Sequence, residues 1–403
     1  MSSLTKRVQY GCGVVKFKFS TKAIHGHGYS DDFGAFIPPI YFSAIFEQLI
    51  RETGEFRLSD RGFDLKYSRE ENPTVRILEK TFAPLEKASD CVAFNSGMAA
   101  LSAALFATIK PGCRIIIPYE VYGTTLQLIN DLKGFGINVV SVYPSTEDVL
   151  ESINENDVIF VETITNPTLK VLDVKEIGKK AREENAMLIV DNTFTSPILY
   201  NPLDDGASIV VHSATKYIAG HNDVIAGLSA TKERELLENI WNWRRKLGSI
   251  LQPFEAYLVL RGLKTLEIRF KRESTSAKAI AEFLKEHPKV VEVHYPGLPD
   301  DPYFHTASKL FKKKLFGGVV SFKVKGGFEE TKKVVLSTEI IKPSPSFGGT
   351  ESLITQPVVS AAKFIPEEYR LKAGITVNLL RLSVGLEDLE DLIEDLDRAL
   401  SKI

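Results

Sequence analysis

Cysteine is scarce in this 403-residue chain, which has three: Cys12, Cys91 and Cys113. They are too few and too scattered for a disulfide framework or a zinc site, and no metal site is expected. Their sparseness points to a reducing compartment, so a cytoplasmic protein is expected. Glutamine stands only at Gln9, Gln48, Gln127, Gln252 and Gln356 while Lys and Glu are plentiful, a bias in the direction of thermophilic proteins. No run of about 18 uninterrupted apolar residues occurs, which argues against a transmembrane helix. Residues 1–19 carry Lys6, Arg7, Lys16 and Lys18 with no apolar stretch between them, which does not fit a signal peptide. An excess of charge is missing as well. Lys plus Arg number 50 against 52 Asp plus Glu, a formal net charge of -2, so neither nucleic acid nor an anionic membrane is expected as a partner. A Gly-x-Gly-x-x-Gly fingerprint is also absent: Gly11-Cys12-Gly13 precedes no strand-turn-helix with a third glycine, which argues against a nicotinamide dehydrogenase.

What is present reads as a folded enzyme-sized chain. The hydrophobic share is 44% and the charged share 25%, which excludes a disordered chain, a collagen and a coiled-coil rod. At about 150 residues per domain, the length allows two to three domains. Residues 1–60 are irregular and aromatic, with Pro38-Pro39 forcing extended backbone, and read as an arm that wraps over another part of the molecule or a neighbouring subunit, the expected contact being the neighbouring subunit. From about Tyr67 onward, short apolar runs recur at 91–94, 114–117, 138–142, 158–161, 187–190 and 209–211, with helical patterns between them, such as 98–109 and 174–185. Continuous apolar strands alternating with helices predict an α/β domain, 61–258, with a mostly parallel sheet covered on both faces. A helical stretch over 255–283 leads to a smaller α+β domain, 259–403. Its predicted strands are 290–294, 318–324 and 381–384, and it closes with a helix over 387–403.

The strand ends carry the polar residues. Run 91–94 leads into Ser96-Gly97-Met98, run 158–161 into Glu162 and then Asn166-Pro167, run 187–190 into Asp191-Asn192, and run 209–211 into His212-Ser213-Ala214-Thr215-Lys216. Ligands of open parallel sheets bind outside the carboxyl ends of strands. A lone lysine at a strand exit is ordinarily a solvated surface residue. Here Lys216 has company: Asp191 can pair with a protonated pyridine nitrogen, and the helix-opening amides of Gly97 and Met98, with the Ser213 and Thr215 hydroxyls, can hold a phosphate. Tyr122, after a strand, can stack on a ring. An amine, an acid, a phosphate cradle and an aromatic lid are the parts of a pyridoxal 5'-phosphate site.

The stretch Ser213-Ala214-Thr215-Lys216-Tyr217-Ile218-Ala219-Gly220-His221 resembles the lysine signature of the Cys/Met-metabolism family of pyridoxal-phosphate-dependent enzymes. That family includes cystathionine γ-synthase, cystathionine γ-lyase, methionine γ-lyase and O-acylhomoserine sulfhydrylases. The resemblance runs from Ala23-Ile24-His25 through Tyr67-Ser68-Arg69, Asn72-Pro73-Thr74 and Ser346-Phe347-Gly348-Gly349-Thr350-Glu351 to Arg381-Leu382-Ser383-Val384-Gly385. It implies the family's fold type I and a role for each residue. Lys216 would carry the cofactor covalently, Asp191 would pair with the pyridine nitrogen, and Gly97, Met98, Ser213 and Thr215 would bind phosphate. Tyr122 would stack on the ring and act in proton transfer, and Asn166 would lie near the phenolic oxygen. Tyr67 and Arg69 would reach the phosphate of the neighbouring subunit, within a homotetramer built as a dimer of dimers. Arg381 would clamp the substrate carboxylate, with Ser346 assisting.

Some positions depart from the family's pattern. Ser208 stands where an acid is usual eight residues before the lysine, and Val359-Ser360-Ala361-Ala362 replaces a Met-Thr-His stretch. Pro345 replaces a glutamate common in cystathionine enzymes, and Thr124 replaces the cysteine of methionine γ-lyases. The expected activity is γ-elimination or γ-replacement on a sulfur-containing or O-acylated homoserine-type amino acid, of the cystathionine γ-lyase or γ-synthase type in transsulfuration. The alternatives are a methionine γ-lyase or O-acylhomoserine sulfhydrylase and, outside the enzymes, a catalytically silent cofactor-binding relative. The intact lysine, aspartate and arginine set argues against the last.

Overall fold

The structure, a computed structural model, describes residues 17–26, 28–29, 33–47, 58–63, 65–360 and 362–403. Lys6, Arg7, Lys16, Gly11-Cys12-Gly13, Gln9, Gln48, Ala361 and much of the predicted arm lie outside the described residues.

The six apolar runs and one further strand form one seven-stranded sheet: β1 Asp90–Phe94, β2 Arg114–Pro118, β3 Asn138–Val142, β4 Val158–Glu162, β5 Met187–Asp191, β6 Ile209–Ser213 and β7 Gly227–Thr231. Their order is β1-β7-β6-β5-β4-β2-β3. The five strands β3, β2, β4, β5 and β6 are parallel. Each face of the sheet is buried: Val158 and Phe160 join one hydrophobic cluster, Ile159 and Val161 the other. That is why these strands read as unbroken apolar runs rather than alternating ones. The sheet is mixed at one side, because β7 lies between β1 and β6 and runs antiparallel to both. Gly227-Leu228-Ser229-Ala230-Thr231 was not predicted as a strand. Pairing on both edges and burial of all five residues override its weak propensity.

The predicted helices appear with small shifts, at Gly97–Thr108 and Val174–Glu183. The stretch predicted over 255–283 is two helices, Pro253–Leu263 and Leu266–Glu286. The predicted division between residues 258 and 259 therefore falls inside a helix rather than in a loop. Helix Arg234–Leu247 was not predicted, although Leu236, Leu237, Ile240 and Trp241 give it one buried face.

A second sheet of five strands follows: β8 Val290–His294, β9 Val319–Val324, β10 Lys342–Pro343, β11 Leu353–Thr355 and β12 Leu379–Ser383, in the order β10-β11-β12-β9-β8. β12 starts two residues before its predicted limit, so Arg381 sits mid-strand, paired to Ser321 of β9 and Thr355 of β11. Helix Leu389–Leu400 covers this sheet through Leu392, Leu396 and Leu400. The described part of the arm is tied to helix Pro73–Phe82: Tyr41 N donates to Thr74 Oγ1 at 2.8 Å, and Asn72 Nδ2 to Tyr41 O at 3.0 Å. Phe33, Phe36 and Phe42 of the arm are nearly fully exposed. Among the described residues, no helix is long and apolar enough to cross a membrane.

Candidate active site

The three neighbouring parallel strands β4, β5 and β6 end in Glu162, Asp191 and Ser213, and the register sets Glu162 directly beside Asp191. A cleft of about 470 Å³ opens at this carboxyl edge. Helix Gly97–Thr108 begins there. Its cap, Ser96 Oγ, accepts from Ala99 N at 3.1 Å, which leaves the first helical amides, at Gly97 and Met98, without intrahelical partners. Glycine is needed at 97 because a Cβ there would stand 2.8 Å from Ser213 Cβ. The close approach brings the helix start and the Ser213 hydroxyl to one place. Ser213 N in turn donates to Thr193 Oγ1 at 2.8 Å.

Lys216 lies just past β6, half-buried, and its Nζ donates to Ser346 Oγ at 2.9 Å. Burial, helped by the positive charge of Arg381, pushes its ammonium down to about 8. Burial pushes the Asp191 carboxyl up, against hydrogen bonds from Thr193 N at 2.9 Å and Thr193 Oγ1 at 2.5 Å. Glu162 is pushed well above the carboxylate range by burial and then by Asp191 beside it. Its Oε1 accepts from Tyr122 N at 2.7 Å, while Oε2 is buried without a partner.

Arg381 is 1% exposed. Its Nη1 donates to Asn166 Oδ1 at 2.7 Å and its Nη2 to the carbonyls of Pro345 and Ser346, while Nε has no partner. Burial pushes this guanidinium down to about 10. All three acceptors are neutral oxygens, so among the described residues no carboxylate pairs with this guanidinium. Its charge remains available to an anion entering the cleft.

One cleft is thus lined by Gly97, Met98, Tyr122, Asn166, Asp191, Ser213, Thr215, Lys216, Ser346 and Arg381. Tyr122 precedes helix Gly123–Asp131 and is 45% exposed, its ring free to meet a ligand. Asn166 stands before a cis proline, and its side chain orients Arg381. Tyr67 and Arg69 are not in this cleft. They occupy an exposed turn, where the Arg69 guanidinium lies 5.3 Å from the Tyr67 ring centre and Nη1 donates to Arg245 O at 3.2 Å. Sequence reasoning missed Thr193, Phe194 and Phe347 as lining residues, and gave Glu162 no role. Only Glu162 carried a signal, an acid closing an apolar strand. A larger cleft, about 540 Å³, lies against β8. Its four lysines already have acid partners, Lys170 with Glu120, Lys323 with Glu292, Lys285 with Asp300 and Lys372 with Glu368, so it carries no comparable chemistry.

A family model described as Cys/Met metabolism PLP-dependent enzyme matches residues 20–401. The chain belongs to this family. An L-methionine gamma-lyase of Fusobacterium nucleatum is 40% identical over 396 residues, covering 96% of this chain and 99% of the relative. A cystathionine gamma-lyase of Saccharomyces cerevisiae is 39% identical over 394 residues, covering 96% and 98%. A crystal structure of cystathionine gamma synthase from Xanthomonas oryzae pv. oryzae in complex with cystathionine superposes with a TM-score of 0.90 at 34% identity, covering 96% and 98%. The protein is a pyridoxal-phosphate-dependent enzyme that cleaves or transfers a C–S bond, and its fold is the α/β fold of these enzymes.

The residues of the cleft fit that cofactor. An amine poised near neutrality, a buried acid, free helix-start amides beside a hydroxyl, and the partnerless Glu162 Oε2 and Arg381 Nε make a polar cradle that a ligand must complete. Gly97→Ala tests the cradle. The added methyl meets Ser213 at both Cβ and backbone Cα, 2.8 and 3.0 Å away, so the helix start or the end of β6 must move. Cofactor affinity is expected to fall about tenfold or more, as for other small misplacements of binding groups. Fluorescence titration of the apoprotein with pyridoxal phosphate measures it, and unchanged affinity would show that the approach of Gly97 to Ser213 does not matter for binding.

Proposed function

We propose that the enzyme performs γ-elimination or γ-replacement on cystathionine or an O-acylated homoserine, the cystathionine γ-lyase or γ-synthase type of transsulfuration. The observation that carries this reading is the meeting of Lys216, Asp191 and the charge-unpaired Arg381 in one cleft. Bound there, pyridoxal phosphate supplies an electron sink for charge developing at the substrate Cα and Cβ. Asp191, fixed by Thr193, holds a proton at the pyridine nitrogen. The amides of Gly97 and Met98 and the hydroxyls of Ser213 and Thr215 bind the phosphate. Arg381, held in orientation by Asn166 and two carbonyls, offers its remaining N–H groups to the substrate carboxylate. Lys216 would move protons at Cα and Cβ, and Ser346 Oγ, which accepts from its Nζ, aims the amine. The Tyr122 phenol, exposed at the cleft, meets the ring and passes a proton to the departing γ-group. Phe194 and Phe347, with ring centres 4.2 Å apart, exclude water from one side.

Tyr67 and Arg69, exposed and outside their own cleft, act in this reading on the phosphate of a neighbouring subunit, and the assembly is a homotetramer of two site-sharing dimers. The exposed Phe36 and Phe42 support a subunit contact by the arm. The three-part division belongs to the same reading: arm 1–60, cofactor domain 61–258 and C-terminal domain 259–403, with helix Pro253–Leu263 as the joint. A cytoplasmic location is supported by the free thiols of Cys91 and Cys113. One observation favours a methionine γ-lyase instead. The charged lining residues, Glu162, Asp191, Lys216 and Arg381, surround the cofactor and α-carboxylate positions, while the outer lining of Ile225, Pro345 and Phe364 is apolar.

The deciding experiment offers the purified holoenzyme cystathionine, methionine, and O-acylhomoserine plus cysteine in parallel, and measures oxoacid, thiol and cystathionine. Release of 2-oxobutanoate from cystathionine, or formation of cystathionine, supports the main reading. Turnover of methionine alone supports the second, and no turnover of any supports a silent relative. The lysine makes a separate prediction. Attachment of the cofactor needs the neutral amine, and at pH 8 about half of Lys216 is neutral against roughly 0.3% of an ordinary lysine. The rate of covalent cofactor uptake by apoprotein is therefore expected to rise with pH and to reach half its plateau near 8. A midpoint near 10 would mean that burial does not tune this amine.

A further inference from the structure

Beneath the turn that carries Tyr67 and Arg69 lies a buried cluster of charges that the mechanism does not use. Arg61, Glu71, Glu79 and Arg244 have side chains no more than 4% exposed. Arg244 Nη1 donates to Glu79 Oε1 at 2.8 Å, and Arg61 Nη2 donates to Glu79 Oε2 at 2.6 Å. Arg61 Nη1 stands 3.4 Å from Glu71 Oε1. The cluster then reaches the turn. Arg244 Nη2 donates to Glu70 O at 2.7 Å, and Trp241 Nε1 to Glu70 O at 3.1 Å and Glu71 Oε1 at 2.7 Å. Within the turn, the amides of Glu70 and Glu71 donate to Tyr67 O at 2.8 and 3.1 Å. The carbonyl and carboxylate just past Arg69 are thus gripped from below, while Arg69 itself is exposed.

The same cluster also reaches the start of this subunit's own phosphate cradle. Glu79 Oε1 accepts from Ala93 N at 2.9 Å, and Arg61 Nη2 donates to Cys91 O at 2.7 Å. Cys91 and Ala93 belong to β1, which leads directly into Ser96-Gly97-Met98. Buried ion pairs add little net stability compared with apolar packing of the same volume, but they fix orientation strictly, because each charge must keep its partners.

We propose that Arg244, Glu79 and Trp241 are positioning residues that set the Tyr67–Arg69 turn against β1, and so place the groups that complete a neighbouring subunit's cofactor site. This rests on the reading that Arg69 acts across the subunit boundary. None of the three lines the cleft of its own chain.

Two variants of the holoenzyme test it. Arg244→Met removes the grip on Glu70 O but also takes from Glu79 one of its buried arginine partners, leaving it Arg61, and so puts folding at risk. Trp241→Phe removes the indole donor and one of the two fused rings, and keeps an aromatic ring to face Phe63, whose centre lies 3.9 Å from that of Trp241. Each is expected to raise the dissociation constant for pyridoxal phosphate about 10- to 100-fold, with Arg244→Lys recovering part of the loss. The decisive readout is subunit mixing. Paired with a Lys216→Ala subunit, a Trp241→Phe subunit keeps its own lysine and receives an intact turn from its partner, so that site should regain tight cofactor binding and turnover. Arg69→Ala mixed in the same way is the control. Wild-type cofactor affinity in Trp241→Phe overturns the proposal. So does a failure to recover on mixing while Arg69→Ala does recover, which would mark the cluster as acting within its own subunit. If Arg69→Ala also fails to recover in confirmed mixed oligomers, the reading of Arg69 across the boundary falls, and the proposal falls with it.

Discussion

Lys216→Ala is expected to cut turnover by on the order of a thousandfold or more, because in the proposed mechanism one amine serves both as the attachment point and as the proton carrier. The fold should survive. The side chain is half-buried, and its hydrogen bond goes to Ser346 Oγ, which can turn to water or to a bound ligand. Pyridoxal phosphate should still bind through the Gly97 and Met98 amides, Ser213, Thr215 and Asp191, but noncovalently, so that borohydride treatment, which fixes an imine to the chain as a secondary amine, should leave none of it on the denatured variant. The measurements are kcat, the circular dichroism spectrum and the cofactor retained after borohydride treatment and denaturation. Turnover near that of the native enzyme, or cofactor still covalently attached, would remove Lys216 from its role.

Arg381→Ala is expected to lower kcat/KM for an amino-acid substrate by about 30- to 5,000-fold. That corresponds to the ~2–5 kcal/mol lost when one side of a buried charge pair is removed. The buried guanidinium donates to three neutral oxygens and keeps Nε unused, an arrangement that leaves its charge for an incoming carboxylate. Arg381→Lys should restore only part of the loss, since an ammonium cannot offer two parallel N–H groups to a carboxylate. Cofactor content should stay close to native, because the phosphate cradle, Asp191 and Lys216 are untouched. The change also acts on the lysine. Arg381 helps to hold the Lys216 ammonium below its ordinary range, so its removal should move the pH midpoint of cofactor uptake upward. Near-normal kcat/KM, or loss of cofactor in place of loss of substrate binding, would reject the carboxylate role.

The site was legible where chemistry sat at the end of a recognisable element. Glu162, Asp191 and Ser213 close three apolar strands, and a parallel sheet places consecutive strand ends side by side, so the sequence pattern alone brought the acid, the hydroxyl and Lys216 together. Ser96-Gly97-Met98 was legible because a strand followed by a serine cap and an apolar helix is a local pattern. Phe194 and Phe347 gave no such signal. Each is one aromatic among 24 phenylalanines, and only the packing of a strand-end loop against a loop of the C-terminal part turns two of them into a wall.

The elements also divide by how much of their information is local. Strands β4, β5 and β6 are set by unbroken β-branched and apolar runs, and helix Leu389–Leu400 by an apolar stripe at helical spacing, both properties of neighbouring residues. β7 has no such run, and exists because β1 and β6 bond to both its edges. The family and the cofactor were written in motifs a few residues long, and the roles proposed for Lys216 and Asp191 rest on the same motifs. The partners of Arg381 were not. Its hydrogen bonds reach 215 residues back to Asn166 and 36 residues back to Pro345, and no pattern along the chain shows that every acceptor there is neutral. The buried grip of Arg244 and Trp241 on Glu70, more than 170 residues apart in the chain, is of the same kind. Local sequence sets propensity and motif, whereas the pairing of buried charges depends on which distant segments the folded core presses together.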